Sequence, residues 1–188
     1  MTTDPRVERT RLHVLQQARE LIAADGTGAL TYTALAKRAQ VTRPTLYRHW
    51  PTPTELLVDL VLQGGPTLYP YPGTDAPTVV RAFLRSLRDG MGDPALAGAF
   101  SALISAAEHD PTARSALHEV TQNRQAALNT LLAPSSVHIQ PPELAQLSGA
   151  VLFQRFIART DVTDAFIDEV TDRWWHARPE HRHDDEHP

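Results

Sequence analysis

Thr42, Arg43, Thr45, Tyr47, Arg48 and His49 crowd hydrogen-bonding, cationic and aromatic groups into one short stretch. A guanidinium such as that of Arg43 can donate two parallel hydrogen bonds to a guanine edge. Thr45 can touch a thymine methyl or hydrogen-bond a base. Tyr47, Arg48 and His49 suit phosphate oxygens, contacts that fix register without reading sequence. The same residue types also fit a plain solvent-exposed helix, and spacing alone leaves both readings open.

Catalytic constellations are harder to find. The sequence has no Gly-rich phosphate loop, no His-Glu-x-x-His and no Gly-x-Ser-x-Gly. Glu108-His109-Asp110 groups titratable side chains, but Asp110 before Pro111 is accounted for as a helix cap. His176, His181, His183 and His187 lack helical ligand spacing and suit only adventitious metal binding. The expectation is no enzyme activity, no catalytic residue, no metal site and no cofactor.

The elements that must position the polar stretch are helical. Val7, Val14, Ala18, Leu21 and Ile22 form one apolar stripe over 7–24, and Asp25-Gly26 stops that helix. Thr31 caps a helix over 31–38, and Gln40-Val41 makes a short turn. Thr42 caps a helix over 42–49, with Pro44 in its first turn, where a missing N–H does little harm. Two short helices across a three-residue gap have helix-turn-helix spacing, with Leu35, Ala36, Ala39, Val41 and Leu46 available to lock them. The second helix can enter a DNA major groove. Trp50, at the junction that follows, reads as a core residue rather than a base-stacking one.

Thr52-Pro53-Thr54-Glu55 opens the next helix as a capping box with proline at its first position, and 64–76 reads as a loop. Proline-opened helices follow over 77–90, 94–108, 111–132 and 142–159, and Asp161 or Thr163 caps a last one over 163–177. The 94–108 segment is apolar nearly all round and reads as a central, buried helix. Nine helices and no strand pattern make the fold class all-α: a helix-turn-helix domain over 1–51, a helical bundle over 52–177 and a disordered tail over 178–188.

Composition sharpens the polyanion reading. The 188 residues contain no cysteine, which excludes disulfides, cysteine-based zinc sites and a thiol nucleophile. With no apolar run of about 20 residues and no secretory leader pattern, a soluble cytoplasmic protein is expected. The net charge of −4 taken whole disfavours nucleic acid, yet residues 1–50 carry +4 and residues 51–188 carry −8. A basic head on an acidic body suits a protein that binds a polyanion at one end, and chance clustering of charge fits the same numbers equally well.

The stretch Thr31–Leu57 resembles the DNA-binding region of the TetR family of bacterial transcriptional regulators, whose pattern runs T-x-x-x-I-A-x-x-A-G-V-S-x-x-T-L-Y-x-H-F-x-x-K-E-x-L. Thr31, Ala36, Ala39, Val41, Thr45, Leu46, Tyr47, His49 and Leu56 match, with Leu35, Thr42 and Trp50 as close substitutes. The resemblance implies a DNA-facing surface of Thr31, Lys37, Thr42, Arg43, Pro44, Thr45, Tyr47, Arg48, His49 and Thr52. Two departures stand out. Gln40 replaces the turn glycine, and Pro53 replaces a lysine that contacts phosphate, leaving Thr52, Thr54 and the helix N–H groups to substitute.

The resemblance further implies a homodimer that reads a palindromic operator in double-stranded DNA, with half-sites about 34 Å apart. Its last two long helices would pair with the partner's. Leu144, Leu147, Val151, Phe166, Val170 and Trp174 supply the apolar faces, and adjacent Trp174 and Trp175 are expected to point to opposite sides. It also implies a small-molecule effector pocket in the bundle of 77–90, 94–108, 111–132 and 142–159, lined by Phe83, Leu87, Met91, Phe100, Leu103, His118, Gln122 and Phe153. Effector binding would shift the fourth helix and release a repressor from DNA. The alternative is a helical ligand-binding or protein-interaction module with a vestigial DNA-binding domain.

Overall fold

The computed structural model describes residues 5–62 and 75–178, so the expected loop over 64–76 and the tail over 178–188 lie almost wholly outside the described residues. Nine α-helices and no strand are present among the described residues: α1 Pro5–Asp25, α2 Tyr32–Ala39, α3 Arg43–His49, α4 Pro53–Leu62, α5 Ala76–Gly92, α6 Pro94–Ala106, α7 Pro111–Leu132, α8 Pro141–Phe153 and α9 Asp164–His176.

Most of these helices start where a short oxygen-bearing side chain can accept an orphan N–H. Thr31 accepts from Ala34 N at 3.2 Å, Thr42 from Thr45 N at 3.3 Å and Thr163 from Phe166 N at 3.2 Å. Asp93 accepts from Ala95 N at 2.8 Å, and Asp110 from Thr112 N at 2.8 Å. At α4 the capping box is reciprocal: Glu55 N donates to the Thr52 hydroxyl at 3.3 Å, and Thr52 N to Glu55 at 3.4 Å. α1 ends at Gly26, whose φ of +78° no side-chain-bearing residue adopts cheaply. A 3₁₀ turn, Thr27–Ala29, then leads into α2.

The described residues fall into two compact units. One takes those of residues 1–66 together with Gly92–Val120; the other takes those of 67–91 and 121–188. The first unit packs α6 against α1 and α4, and α1 against α2. Its core gathers Val14, Ala18, Ile22, Leu35, Leu46, Trp50, Leu56 and Leu60 with Ala95 and Ala99 of α6. α6 is therefore not buried all round as its composition suggests. Ala95, Ala99 and Leu103 are buried, Phe100 is half-buried and Ile104 is 46% exposed. Alanine and glycine let α6 approach closely: a Cβ on Gly98 would lie 3.1 Å from methyl groups of both Ile22 and Thr27.

In the second unit, Val80, Phe83, Leu84 and Leu87 of α5 are buried, as are Leu128, Leu132, Leu144, Leu147, Val151 and Ile167. Arginines on α5 face aspartates on α9. Arg81 meets Asp168 and Asp172, Arg85 meets Asp164 and Asp168, and Arg88 meets Asp164. Hydrogen bonds from Arg88 and Arg85 hold the Asp164 carboxyl below its usual range. Asn129 grips the chain before α8 like a strand partner, accepting from Ile139 N at 2.7 Å and donating to Ile139 O at 3.1 Å. The predicted helix over 142–159 is regular only to Phe153, after which Gln154–Ala158 widens into a π turn.

Candidate nucleic-acid interface

α2 and α3 are joined by Gln40 in the left-handed conformation (φ 54°, ψ 39°), so the turn geometry that glycine usually supplies is kept with a side chain in place. Val41 N donates back to Ala36 O at 3.1 Å, closing the helix end. α3 has seven residues, of which only Leu46 is buried, at 0% exposure. One apolar anchor thus turns the rest of the helix outward. Thr42, Arg43, Pro44, Tyr47 and Arg48 are exposed, and Thr45 and His49 are half-buried.

These side chains organise one another. The Thr42 and Thr45 hydroxyls lie 2.9 Å apart, and Arg43 Nη2 donates to the Tyr47 hydroxyl at 3.4 Å. Tyr47 stands edge-on to Tyr32, with ring centroids 4.8 Å apart. Tyr32 is buried on α2; its hydroxyl donates to Trp50 O at 2.5 Å, and burial pushes the phenol up to about 12. Burial, then the charges of Arg48 and Arg11, hold the His49 imidazole below its ordinary value, which favours the neutral ring. The surface therefore presents fixed positive charge from Arg43 and Arg48 and neutral hydrogen-bonding groups between them.

Other expected DNA contacts are placed less directly. Thr31 and Thr52 are exposed but spend a hydroxyl lone pair each on a helix start, and Lys37 is exposed on α2. Thr54, beside Pro53, hydrogen-bonds Asp110; with the Thr112 N–H this holds that carboxyl below its usual range. Trp50 is 2% exposed and belongs to the core, as the sequence suggests. Sequence reasoning passed over Tyr32, Arg11 and Asp59. The signal for Asp59 was a lone carboxylate inside the apolar run Leu56-Leu57-Val58-Asp59-Leu60-Val61-Leu62.

The expected pocket and dimer residues divide. Phe83, Leu87 and Met91 are buried in the second unit, where the Arg124 guanidinium lies 4.7 Å from the centre of the Phe83 ring. Leu103 is buried and Phe100 half-buried in the first unit. His118 and Gln122 are exposed, and Phe153 is 58% exposed. A separate cleft of about 610 Å³ in the second unit is lined by Ser136, His138, Gln140, Glu143, Trp174 and Arg178, among others, and by none of the expected pocket residues. Of the expected dimer residues, Leu144, Leu147, Val151 and Trp174 are buried within the chain itself and have little surface to give a partner. Phe166 and Val170 are half-buried. Trp174 and Trp175 do not diverge: their rings lie 5.7 Å apart, with Trp174 buried and Trp175 half-buried. Among the described residues the most exposed large apolar side chains are Ile157 and Phe153, at 69% and 58%.

Residues 14–60 match the model of bacterial regulatory proteins of the tetR family, and residues 78–174 match the tetracyclin repressor-like C-terminal domain. The crystal structure of a TetR family transcription regulator, SCO0332, is similar with a TM-score of 0.71 and 25% identity, covering 91% of this chain and 100% of that one. A TetR transcriptional regulator from Agrobacterium tumefaciens has a TM-score of 0.67 and 16% identity, covering 88% and 92% of the two chains. The multidrug binding protein EbrR, solved with imidazole, gives 0.58 and 20%, covering 87% and 93%. A comparison with curated proteins finds no match.

Proposed function

Because the chain belongs to the TetR family of bacterial regulatory proteins and is a DNA-binding transcription regulator, we propose that it works as a homodimeric, ligand-released repressor of a palindromic operator. The observation that carries this reading is α3 itself, a seven-residue helix pinned by Leu46 that turns Arg43, Tyr47 and Arg48 to solvent. In this reading Arg43 and Thr45 meet base edges in the major groove, while Tyr47, Arg48 and His49 meet phosphates. Thr42 and Pro44 shape the start of the helix, and Thr31, Lys37 and Thr52 flank it on the DNA side. A protein with two-fold symmetry presents two such helices to two half-sites about 34 Å apart.

Phe153 and Ile157, four residues apart along α8 and its π turn, support pairing of two chains there, with half-buried Phe166 and Val170 of α9 as further apolar candidates. A large exposed apolar surface of this kind marks an association site. A small apolar effector with a polar or anionic group suits the interior beside Phe83, Leu87 and Met91, where Arg124 supplies the charge.

The test is binding to duplexes tiling the DNA upstream of the chain's own coding sequence, measured against salt. A regulator's log K falls steeply and linearly with log salt. Arg43→Ala should weaken operator binding by about 1–3 kcal/mol and relax specificity at one base position. Sequence-independent binding that Arg43→Ala and Tyr47→Ala leave unchanged would refute the assignment of α3.

A further inference from the structure

Asp59 sits in the middle of α4 with its side chain only 15% exposed, and it accepts hydrogen bonds from two other parts of the first unit. From α1, Arg11 Nε donates to Asp59 Oδ2 at 2.8 Å, and Arg11 Nη2 donates to Oδ1. From the end of α3, Trp50 Nε1 donates to Asp59 Oδ2 at 2.9 Å. Arg11 is fixed in turn by Glu8, 2.9 Å from its Nη1. Trp50 is held twice more, its carbonyl by the Tyr32 hydroxyl at 2.5 Å and its backbone N–H by Leu46 O at 2.8 Å. The last residue of the recognition segment is therefore bound to α2, α3 and α4 together.

A carboxylate withdrawn from water costs free energy that its partners offset only with good geometry, and an apolar residue of similar size often serves stability as well. What the carboxylate supplies and an apolar side chain cannot is direction. The guanidinium fork fixes the register of α1 on α4, and the indole N–H fixes the end of α3 on α4. Trp50 makes this connection possible, since phenylalanine, found at this place in the family pattern, has no N–H to donate.

We infer that Asp59 is a positioning residue for DNA reading: through Trp50 and Arg11 it sets the angle at which α3 is presented, so that α3 follows any displacement of α4. This rests on the reading of α3 as the recognition helix. Simple electrostatics points the other way. Asp59→Asn removes a negative charge from a DNA-binding chain and on that ground alone would tighten binding to any duplex. Positioning predicts weaker operator binding from the same substitution.

The experiment measures the full chain, Asp59→Asn, Trp50→Phe and the double variant by fluorescence anisotropy at fixed salt, below the melting temperature of each. Two duplexes of equal length serve as probes, the best-bound upstream sequence and a scrambled control. Each single variant should lose about 3- to 30-fold in operator affinity, the range for residues that couple without touching ligand. Binding to the scrambled duplex should be unchanged, or tighter for Asp59→Asn. The double variant should be no worse than the weaker single, because both substitutions cut one connection. Operator binding equal to or tighter than the parent in both single variants overturns the inference while leaving the recognition helix intact. If Asp59→Asn does not fold, Trp50→Phe decides, since it keeps an aromatic ring in the core and removes the N–H donor together with part of the indole. A parent chain that does not distinguish the two duplexes overturns the inference together with the reading of α3 on which it rests.

Discussion

Replacing Leu46 with alanine isolates what holds the recognition helix in place. α3 is seven residues long, about half the ~12–15 residues below which an isolated helix is marginal in water, so its helicity depends on docking. Leu46 is its one buried side chain, at 0% exposure. Removing three carbons loses roughly 0.8 kcal/mol each in transfer free energy. The cavity left behind raises the expected loss to about 3 kcal/mol, within the range for leucine-to-alanine changes in cores. For a chain of 188 residues, that is a fall of about 6–12 °C in melting temperature. Arg43→Ala is the control. Arg43 is exposed, so its removal should move stability by no more than about 0.5 kcal/mol. Thermal melts by circular dichroism, alongside anisotropy titrations with operator DNA, separate the two effects. Leu46→Ala should lower melting strongly and DNA binding with it, whereas Arg43→Ala should lower DNA binding alone. A loss of less than about 1 kcal/mol for Leu46→Ala, against this expectation for a fully buried leucine, would refute the view that one anchor docks the helix.

Gly98→Val should destabilise the first unit by about 2 kcal/mol or more, read by urea denaturation, because even a Cβ there meets methyl groups of Ile22 and Thr27 at 3.1 Å. His49 has a folded value below its ordinary 6.5, so the unfolded chain binds more protons as the pH falls below 6.5. Stability should therefore drop on acidification between 6.5 and the lowered folded value, and His49→Gln should flatten that part of the pH–melting curve. Phe153→Glu places a charge on the exposed apolar surface and should shift sedimentation towards a single chain at micromolar concentration, without lowering the melting temperature of the separated chain.

The helices were legible because their boundaries are written in local chemistry. Thr31, Thr42, Asp93, Asp110 and Thr163 each cap a helix by bonding to residues two or three places on, a distance a sequence displays directly. The candidate DNA surface was legible for a related reason: a short helix with one leucine has only one way to face. Partners across the fold were not. Nothing near Asp59 in the chain names Arg11 as its partner, 48 residues away, although a carboxylate in an apolar run signals that some partner is needed. The dimer faces are hard to read for a different reason. Leu144, Leu147 and Val151 share an apolar stripe, but periodicity cannot tell whether a stripe is covered by its own chain or by another. The apolar composition of α6 was likewise read as burial on all sides, when small residues such as Ala95, Gly98 and Ala99 were needed for close approach on one side.

The contribution of Ala95 and Ala99 to the core around α1–α4 has a consequence in time. A ribosome delivers α1 through α4 by Leu62, but the helix that completes their core ends at Ala106, 44 residues later. At about 5–20 residues per second, the nascent chain spends roughly 2–9 seconds with its recognition segment made and its core unfinished. During that interval Leu46 and Trp50 lack a completed interior to rest on, so the ability to bind DNA arrives late in synthesis. A fragment cut at residue 62 should behave like that nascent chain, and adding back Pro94–Ala106 should restore what it lacks.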